Sequence, residues 1–217
     1  MELQIADRTI QSFLSALGSR LPAPGGGAAA GLSGALGAAL GRMVAELTLG
    51  REKYAALSEH AKQASAALEP LIARFVDLAD ADAAAYDGYM AALALPKTTE
   101  AEKQTRKAAL QQAIHHATKV PCEVIDSAIE TVMILEQLYG RSNPTCVGDL
   151  AAGAAELECA AKIAWLNILA NLPYFSDREE AKTVLREQRT RLEALLERCD
   201  ALYQMIEVDV RPDFDRQ

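Results

Sequence analysis

The sequence predicts an all-α fold: a single domain built as a bundle of long antiparallel helices. Half of the 217 residues are apolar but only 5% are aromatic, and Ala and Leu dominate the apolar class. That mixture favours closely packed helices over a β-sandwich. Apolar residues also recur at helical spacing along most of the chain. Because no linker or internal repeat interrupts this pattern, residues 1–217 are expected to form one domain.

Glycine, proline and N-capping residues divide the chain into seven predicted helices. In order, these cover Asp7 or Thr9 to Gly18, then residues 28–50, 58–95, 99–119, 122–139, 149–172 and 176–203. A bend is expected at Pro70, and Pro121 is expected to separate two helices. Asp149 is the expected N-cap of the sixth helix, and a capping box at Ser176 opens the seventh. Only Ile206–Val210 has the composition of a short strand.

Composition also excludes several classes of protein. The net charge is −8 and no basic tract is present, which argues against duplex nucleic acid as a partner. The first residues lack the features of a signal peptide, and Arg42 and Glu46 interrupt the apolar second helix, so no membrane span is expected. Four cysteines lie without a CxxC pair, at positions 122, 146, 159 and 199. We therefore expect free thiols, no metal site and a cytoplasmic location.

Asp82 interrupts an apolar seam on the third helix. The seam steps by four and three residues through Leu68, Ile72, Phe75, Ala79, Tyr86, Tyr89 and Leu93. A carboxylate there is costly unless it is paired or protonated. It either hydrogen-bonds a neighbouring helix or acts as a general acid and base with a pKa set by burial. Tyr86, one turn on, donates a hydrogen bond to Asp82 or is ordinary core, whereas Asp77 and Asp80 are expected to be solvated.

The turn formed by Gly25, Gly26 and Gly27 precedes a helix and exposes backbone N–H groups, which suits an anion or a carbonyl. The alternative is a tight turn ahead of close helix packing. It is neither a Walker loop nor a dinucleotide fingerprint, since no Gly-Lys-Ser/Thr follows it and no strand precedes it. Asn167 and Asn171 place two amides on a small-residue face, where they bridge helices or contact a polar ligand.

Two further features suggest contacts with a ligand or a partner. Lys53 and Lys97 lie just outside helix ends, where they are either solvated or available to an anion. A small-residue face on the second helix allows another backbone to approach closely, and its members are Gly34, Ala38, Gly41 and Ala45. The neighbour is a helix of the same chain or of a second copy.

An ordered set of short motifs resembles the cyclodeaminase/cyclohydrolase family over nearly the whole chain. The first motifs are Pro24-Gly25-Gly26-Gly27, Leu47-Thr48-Leu49-Gly50 with Lys53-Tyr54, Asp80-Ala81-Asp82 with Tyr86, and Leu95-Pro96-Lys97. The later ones are Glu102-Lys103 with Arg106, Val120-Pro121, Asn143 with Asp149-Leu150, and Leu166-Asn167-Ile168 with Asn171-Leu172. The resemblance implies an all-helical homodimer that acts on folate without a metal or redox cofactor. Ala28 and Gly148 stand where the family usually has serine, a departure that bears on substrate choice.

On this resemblance the expected reaction converts 5-formimidoyltetrahydrofolate to 5,10-methenyltetrahydrofolate and ammonia, a step of histidine breakdown. The alternatives are a methenyltetrahydrofolate cyclohydrolase, which gives 10-formyltetrahydrofolate, and a non-catalytic folate-binding or assembly module. The predicted catalytic residues are Asp82, Tyr86 and Asp149. The predicted substrate-binding residues are Gly25, Gly26, Gly27, Lys53, Lys97, Asn143 and Asn167.

Overall fold

Six α-helices make up most of the molecule. They are α1 (Ile10–Leu17), α2 (Gly26–Glu46), α3 (Ser58–Ala94), α4 (Glu100–Leu138), α5 (Val147–Asn171) and α6 (Arg178–Val210). The structure is a computed structural model that describes residues 4–212. No strand occurs among these residues, so the predicted all-α class is confirmed. Both ends of the predicted domain, 1–3 and 213–217, lie outside the described residues.

Helices α2 to α5 form a four-helix core in which sequential neighbours run antiparallel. Along α2 and α3, Gly31 faces Ala79 whereas Gly41 faces Leu68. Along α2 and α5, Gly26 faces Ile163 and Gly37 faces the Gly153 carbonyl. Helix α6 packs against α4 and α5 through a stripe of its own. The stripe consists of Leu192, Leu195, Cys199, Leu202 and Ile206, all buried.

The glycines of α2 allow three neighbouring helices to contact its backbone. A Cβ at Gly31 would lie 2.7 Å from the carbonyl oxygen of Phe75, and one at Gly34 would overlap the Phe75 ring. A Cβ at Gly41 would overlap Leu135 of α4. Because Gly34 and Gly41 are buried in their own chain, the small-residue face is used for packing within the bundle. It therefore offers no surface to a second copy.

Helix α4 continues through Pro121, so the predicted division into two helices is wrong. Proline lacks an N–H group and leaves the carbonyl four residues earlier, here that of Ala117, without its helical partner. The side chain of Asn171 on α5 donates a hydrogen bond to that oxygen at 3.0 Å. A polar group from a neighbouring helix thus replaces the bond that Pro121 removes.

Three predicted element ends also differ. Ile206–Val210 is the last part of α6 rather than a strand, because Ile206 continues the buried helical stripe. Helix α6 is capped by Asp177, which accepts hydrogen bonds from two backbone N–H groups, and not by Ser176. Helix α5 starts at Val147 after a 3-10 turn capped by Asn143, so Asp149 lies in its first turn. The capping box of Thr99 and Glu102 is confirmed.

Replacing Gly34 by alanine is expected to destabilise the protein, although alanine favours helix. The new methyl group would overlap Phe75, which is fully buried and cannot move away, and overpacking of this kind costs about 1–3 kcal/mol. The matched control is Gly88→Ala on α3, where a Cβ meets nothing within 4 Å. That change should stabilise the protein by up to about 1 kcal/mol. Urea unfolding measures both, and equal effects would contradict the packing argument.

Candidate active site

A cleft of about 320 Å³ lies at one end of the bundle, where the N-terminus of α2 meets α3 and the C-terminal part of α5. It brings together six of the residues predicted from the sequence. These are Gly25, Gly26, Gly27, Asp82, Tyr86 and Asn167. Residues 57 positions apart along the chain, Gly25 and Asp82, thus share one surface.

The Asp82 carboxylate lies directly against the first turn of α2. A Cβ at Gly27 would overlap the carboxylate, so only glycine fits there. The backbone N–H of Ala28 donates a hydrogen bond to it, and the positive end of the helix dipole favours a negative charge at this place. Burial nevertheless raises the pKa of Asp82 above its usual value, with the Ala28 hydrogen bond opposing the rise. The carboxyl can therefore gain and lose a proton closer to neutral pH than an exposed aspartate can.

The Ala28 side chain points away from the cleft. It is fully buried in a small apolar cluster with Ile5, Phe13 and Ala79. A serine hydroxyl at position 28 would enter that cluster rather than meet a ligand. Only the backbone N–H of residue 28 serves the site, and any residue except proline supplies it.

Tyr86 lines the cleft, but within residues 4–212 its hydroxyl makes no hydrogen bond to Asp82. The expected contact is absent because the carboxylate turns toward Ala28 on α2 instead. Asn167 likewise lines the cleft, and its amide has no hydrogen-bond partner in the described part of the chain. Both polar groups are free to contact a ligand.

Two tyrosines that were not among the predicted site residues also line the cleft. Tyr89 belongs to the apolar seam and also lines the cleft, while Tyr174, in a 3-10 turn after α5, is 60% exposed. With Tyr86 they provide aromatic surface suited to stacking on a planar ring system. No periodic pattern pointed to Tyr174. Its only signal in the sequence was its place just after the predicted end of the Asn167–Asn171 helix.

Three predicted site residues lie at the opposite end of the bundle, far from Asp82 in the same chain. They are Lys53, Asn143 and Asp149. Asp149 and Asn167 are 18 residues apart on the straight helix α5, which corresponds to about 27 Å. Lys53 is exposed and stacks over the Tyr54 ring at 4.6 Å. The predicted helix 149–172 already places Asp149 near its start and Asn167 near its end, so the resemblance alone grouped Asp149 with the site residues.

Asn143 has a structural role in this arrangement. Only 2% of it is exposed, and its side-chain oxygen accepts hydrogen bonds from the Tyr54 hydroxyl at 2.7 Å and from Thr145. Its backbone N–H donates to the Thr48 hydroxyl at 2.9 Å. These contacts hold two loops together and bury the side chain, and the substrate-binding role of Asn143 stays a prediction.

A larger hollow of about 570 Å³ lies beside another face of α3 and is lined by Asp77, Asp80 and Asp87. Asp80 was expected to be solvated. It is instead partly buried and accepts a hydrogen bond from the Ile5 N–H at 2.7 Å. This hollow does not include Asp82. We place the site in the smaller cleft because that cleft contains Asp82, the aspartate whose pKa is raised by burial.

Comparison with known proteins matches residues 9–190 to the family described as Formiminotransferase-cyclodeaminase. A methenyltetrahydrofolate cyclohydrolase from Methylorubrum extorquens is 35% identical over 92% of this chain and 94% of its own length. A formimidoyltransferase-cyclodeaminase from Gallus gallus is 34% identical over 87% of this chain. The present chain spans only about a third of that relative, 35% of its length.

A solved structure shares the architecture. Formiminotetrahydrofolate cyclodeaminase from Thermotoga maritima superposes with a TM-score of 0.78 and 27% identity, covering 93% of this chain and 98% of that one. The family match over residues 9–190 includes the helices that form the cleft. The chain belongs to the formiminotransferase-cyclodeaminase family.

Proposed function

We propose that this chain is a folate one-carbon enzyme that converts 5-formimidoyltetrahydrofolate to 5,10-methenyltetrahydrofolate and ammonia in the Asp82 cleft. The observation that carries the proposal is the partly buried Asp82 carboxyl, whose pKa is raised by burial beside unpartnered polar groups. The cyclodeaminase from Thermotoga maritima, whose chain is matched almost completely, supports this reaction.

In the proposed reaction the formimino group is protonated and carries one positive charge, and N10 attacks its carbon to form a tetrahedral centre. The Asp82 carboxylate takes the proton from N10 and returns it to the departing amine, which leaves as ammonia. The product is a delocalised cation, and the carboxylate beside it stabilises that charge. Asn167 is placed to contact the pterin, and the tyrosines are placed to stack on the rings.

The reaction neither oxidises nor reduces the one-carbon unit, so the proposal includes no redox cofactor. It includes no metal either, since residues 4–212 contain no group of three or more His, Cys, Asp or Glu side chains that could hold one. A cytoplasmic location is proposed as well, since all four cysteines are free thiols.

The second candidate is methenyltetrahydrofolate cyclohydrolase. It is favoured by the 35% identity to a cyclohydrolase that this chain matches almost end to end. Here water attacks the cationic carbon and Asp82 accepts a proton from that water. The bond from this carbon to N5 then breaks, the hydroxyl proton passes to N5, and the product is 10-formyltetrahydrofolate. An enzyme is favoured over a non-catalytic folate binder because each reported relative is named for a catalytic activity.

One absorbance assay distinguishes these candidates, because methenyltetrahydrofolate absorbs near the visible range. Its formation from the formimidoyl substrate supports cyclodeamination. Its accelerated loss in buffer supports the cyclohydrolase, and no enzymatic change in either assay contradicts both.

We also propose that two copies of the chain form a homodimer through the outer face of α2 and α5. That face has no charged residue on α2 before Arg42, and its exposed members include Leu36, Met43, Leu47 and Leu166. Helix α2 is apolar and long enough to span a membrane, yet only 56% of that stretch is buried in the bundle. A twofold axis across α2 pairs this face with itself.

Asp82→Asn is expected to lower turnover at least about 100-fold, because the amide cannot accept and return a proton. Thermal unfolding at neutral pH should show the variant to be at least as stable as the parent, since burial no longer penalises a charge. Asp87→Asn, on the exposed side of the same helix, is the matched control and should keep normal turnover. Near-normal turnover of Asp82→Asn would remove this residue from the mechanism.

The pH dependence of kcat/KM should reflect the raised pKa of Asp82. Only the ionised carboxylate accepts a proton, so kcat/KM should rise with pH through a midpoint above the ordinary aspartate value of about 3.9. The direction follows because burial raises the pKa. The residual kcat/KM of Asp82→Asn should not show this rise with pH. If that variant shows the same rise, the titration belongs to another group.

Leu36→Glu should yield monomers at micromolar concentration, because a charge would enter the centre of the proposed α2/α5 interface. Leu36 is 55% exposed within one chain, so folding should survive the change. Met133→Glu, at a similarly exposed position of α4, should leave the dimer intact. Light scattering measures both, and a monomeric parent protein would refute the dimer.

A further inference from the structure

A short turn after α5 presents an exposed aromatic ring to the cleft. The 3-10 turn Leu172–Tyr174 joins α5 to the segment that precedes α6. Leu172 and Phe175 are buried in the core, whereas Tyr174 between them is exposed and lines the cleft. An aromatic side chain that lies in water beside a cleft offers a planar apolar surface that a ligand can cover.

Side chains from two neighbouring helices fix the backbone of this turn. Gln111 of α4 donates a hydrogen bond to the Tyr174 carbonyl at 3.0 Å, and its side-chain oxygen accepts one from the Ser176 N–H at 2.7 Å. Arg178 of α6 donates a hydrogen bond to the Pro173 carbonyl at 3.2 Å. The backbone is therefore held immediately before and after Tyr174, and Gln111 alone makes two of these contacts.

The residue after Tyr174 is held by the same face of α4. The Phe175 ring stacks on the His115 ring, with 4.6 Å between the two centroids. His115 lies four residues after Gln111, so the two side chains share one side of the helix. The Tyr174 ring itself is not held, since its hydroxyl forms no hydrogen bond within residues 4–212. A fixed backbone that carries a free ring suits a ligand contact, because little order is left to impose when the ligand binds.

Exposure distinguishes the three tyrosines of the cleft. Tyr86 and Tyr89 of α3 are partly buried, whereas Tyr174 is exposed and lies on the solvent side. In a tetrahydrofolate the one-carbon unit lies between the pterin and N10, which carries the aminobenzoyl ring, and the charged glutamate follows that ring. With the reacting carbon at Asp82, the glutamate must extend toward water, because burying its carboxylates is costly. The aminobenzoyl ring then lies on the solvent side as well.

We infer that Tyr174 stacks on the aminobenzoyl ring of the folate and that Gln111 is the positioning residue that holds Tyr174 in place. This inference rests on the proposed function, because the one-carbon unit must lie at Asp82. Stacked aromatic rings attract each other beyond the area that they bury. Tyr174 therefore favours a whole folate over a pterin that lacks the aminobenzoyl ring. Gln111 acts through its two hydrogen bonds to the turn and touches no part of the ligand.

The test compares 5-formyltetrahydrofolate with 6-methyltetrahydropterin, which lacks the aminobenzoylglutamate, by calorimetric titration. Tyr174→Ala should bind the folate about tenfold more weakly and change pterin binding less than about twofold. Tyr174→Phe keeps the ring and should restore folate binding. Gln111→Ala should weaken folate binding about fivefold, because the ring must then be ordered when the ligand binds. In the Tyr174→Ala background Gln111→Ala should have no further effect, since its role depends on that ring.

The matched control is Gln112→Ala, the same change at the next residue of α4, which is exposed and makes no hydrogen bond in the part of the chain that the structure describes. It should bind both ligands as the parent does. Unchanged folate binding by Tyr174→Ala, or an equal loss of pterin binding, refutes the stacking while the folate function stands. Additive losses in the double variant refute the positioning role of Gln111. If the parent binds no folate, the proposed function fails and this inference fails with it.

Discussion

The contact between the Asp82 carboxylate and the first turn of α2 is the constraint on which the site depends. Two opposing effects act on the same group. Burial favours the protonated form, whereas the Ala28 N–H and the helix dipole favour the charged form. A carboxyl held between these effects can exchange a proton during a reaction without being exposed. Any side chain at Gly27 would occupy the carboxylate's place, so the glycine and the acid require each other.

The rest of the bundle fixes the two surfaces that make this contact. Helix α2 approaches α3 closely because Gly31 and Gly34 let the Phe75 backbone and ring lie against it. The opposite wall is fixed by Asn171, whose amide binds the carbonyl that Pro121 leaves free on α4. The glycines and the proline, which would weaken isolated helices, thus serve to position the cleft. Their cost in helix stability is offset by packing that no single helix could make.

Much of this arrangement could be predicted from the sequence, and the exceptions have physical causes. Helical spacing alone placed Asp82 in an apolar seam, and glycine and proline marked most helix ends. The continuity of α4 could not be predicted, because the group that compensates for Pro121 lies 50 residues later in Asn171. The predicted helix 149–172 already places Asp149 near its start and Asn167 near its end, but the resemblance groups Lys53 and Asp149 with Asp82. The length of α5 separates the two ends of the bundle.

The basic residues of α4 and of the segment before it also come together only in the folded chain. Lys97, Lys103, Arg106 and Lys107 are spaced like ordinary surface residues, and no basic tract is visible among them. The fold turns them toward one pocket beside the cleft. The chain as a whole is acidic, so a local basic region favours the orientation in which an anionic group faces it.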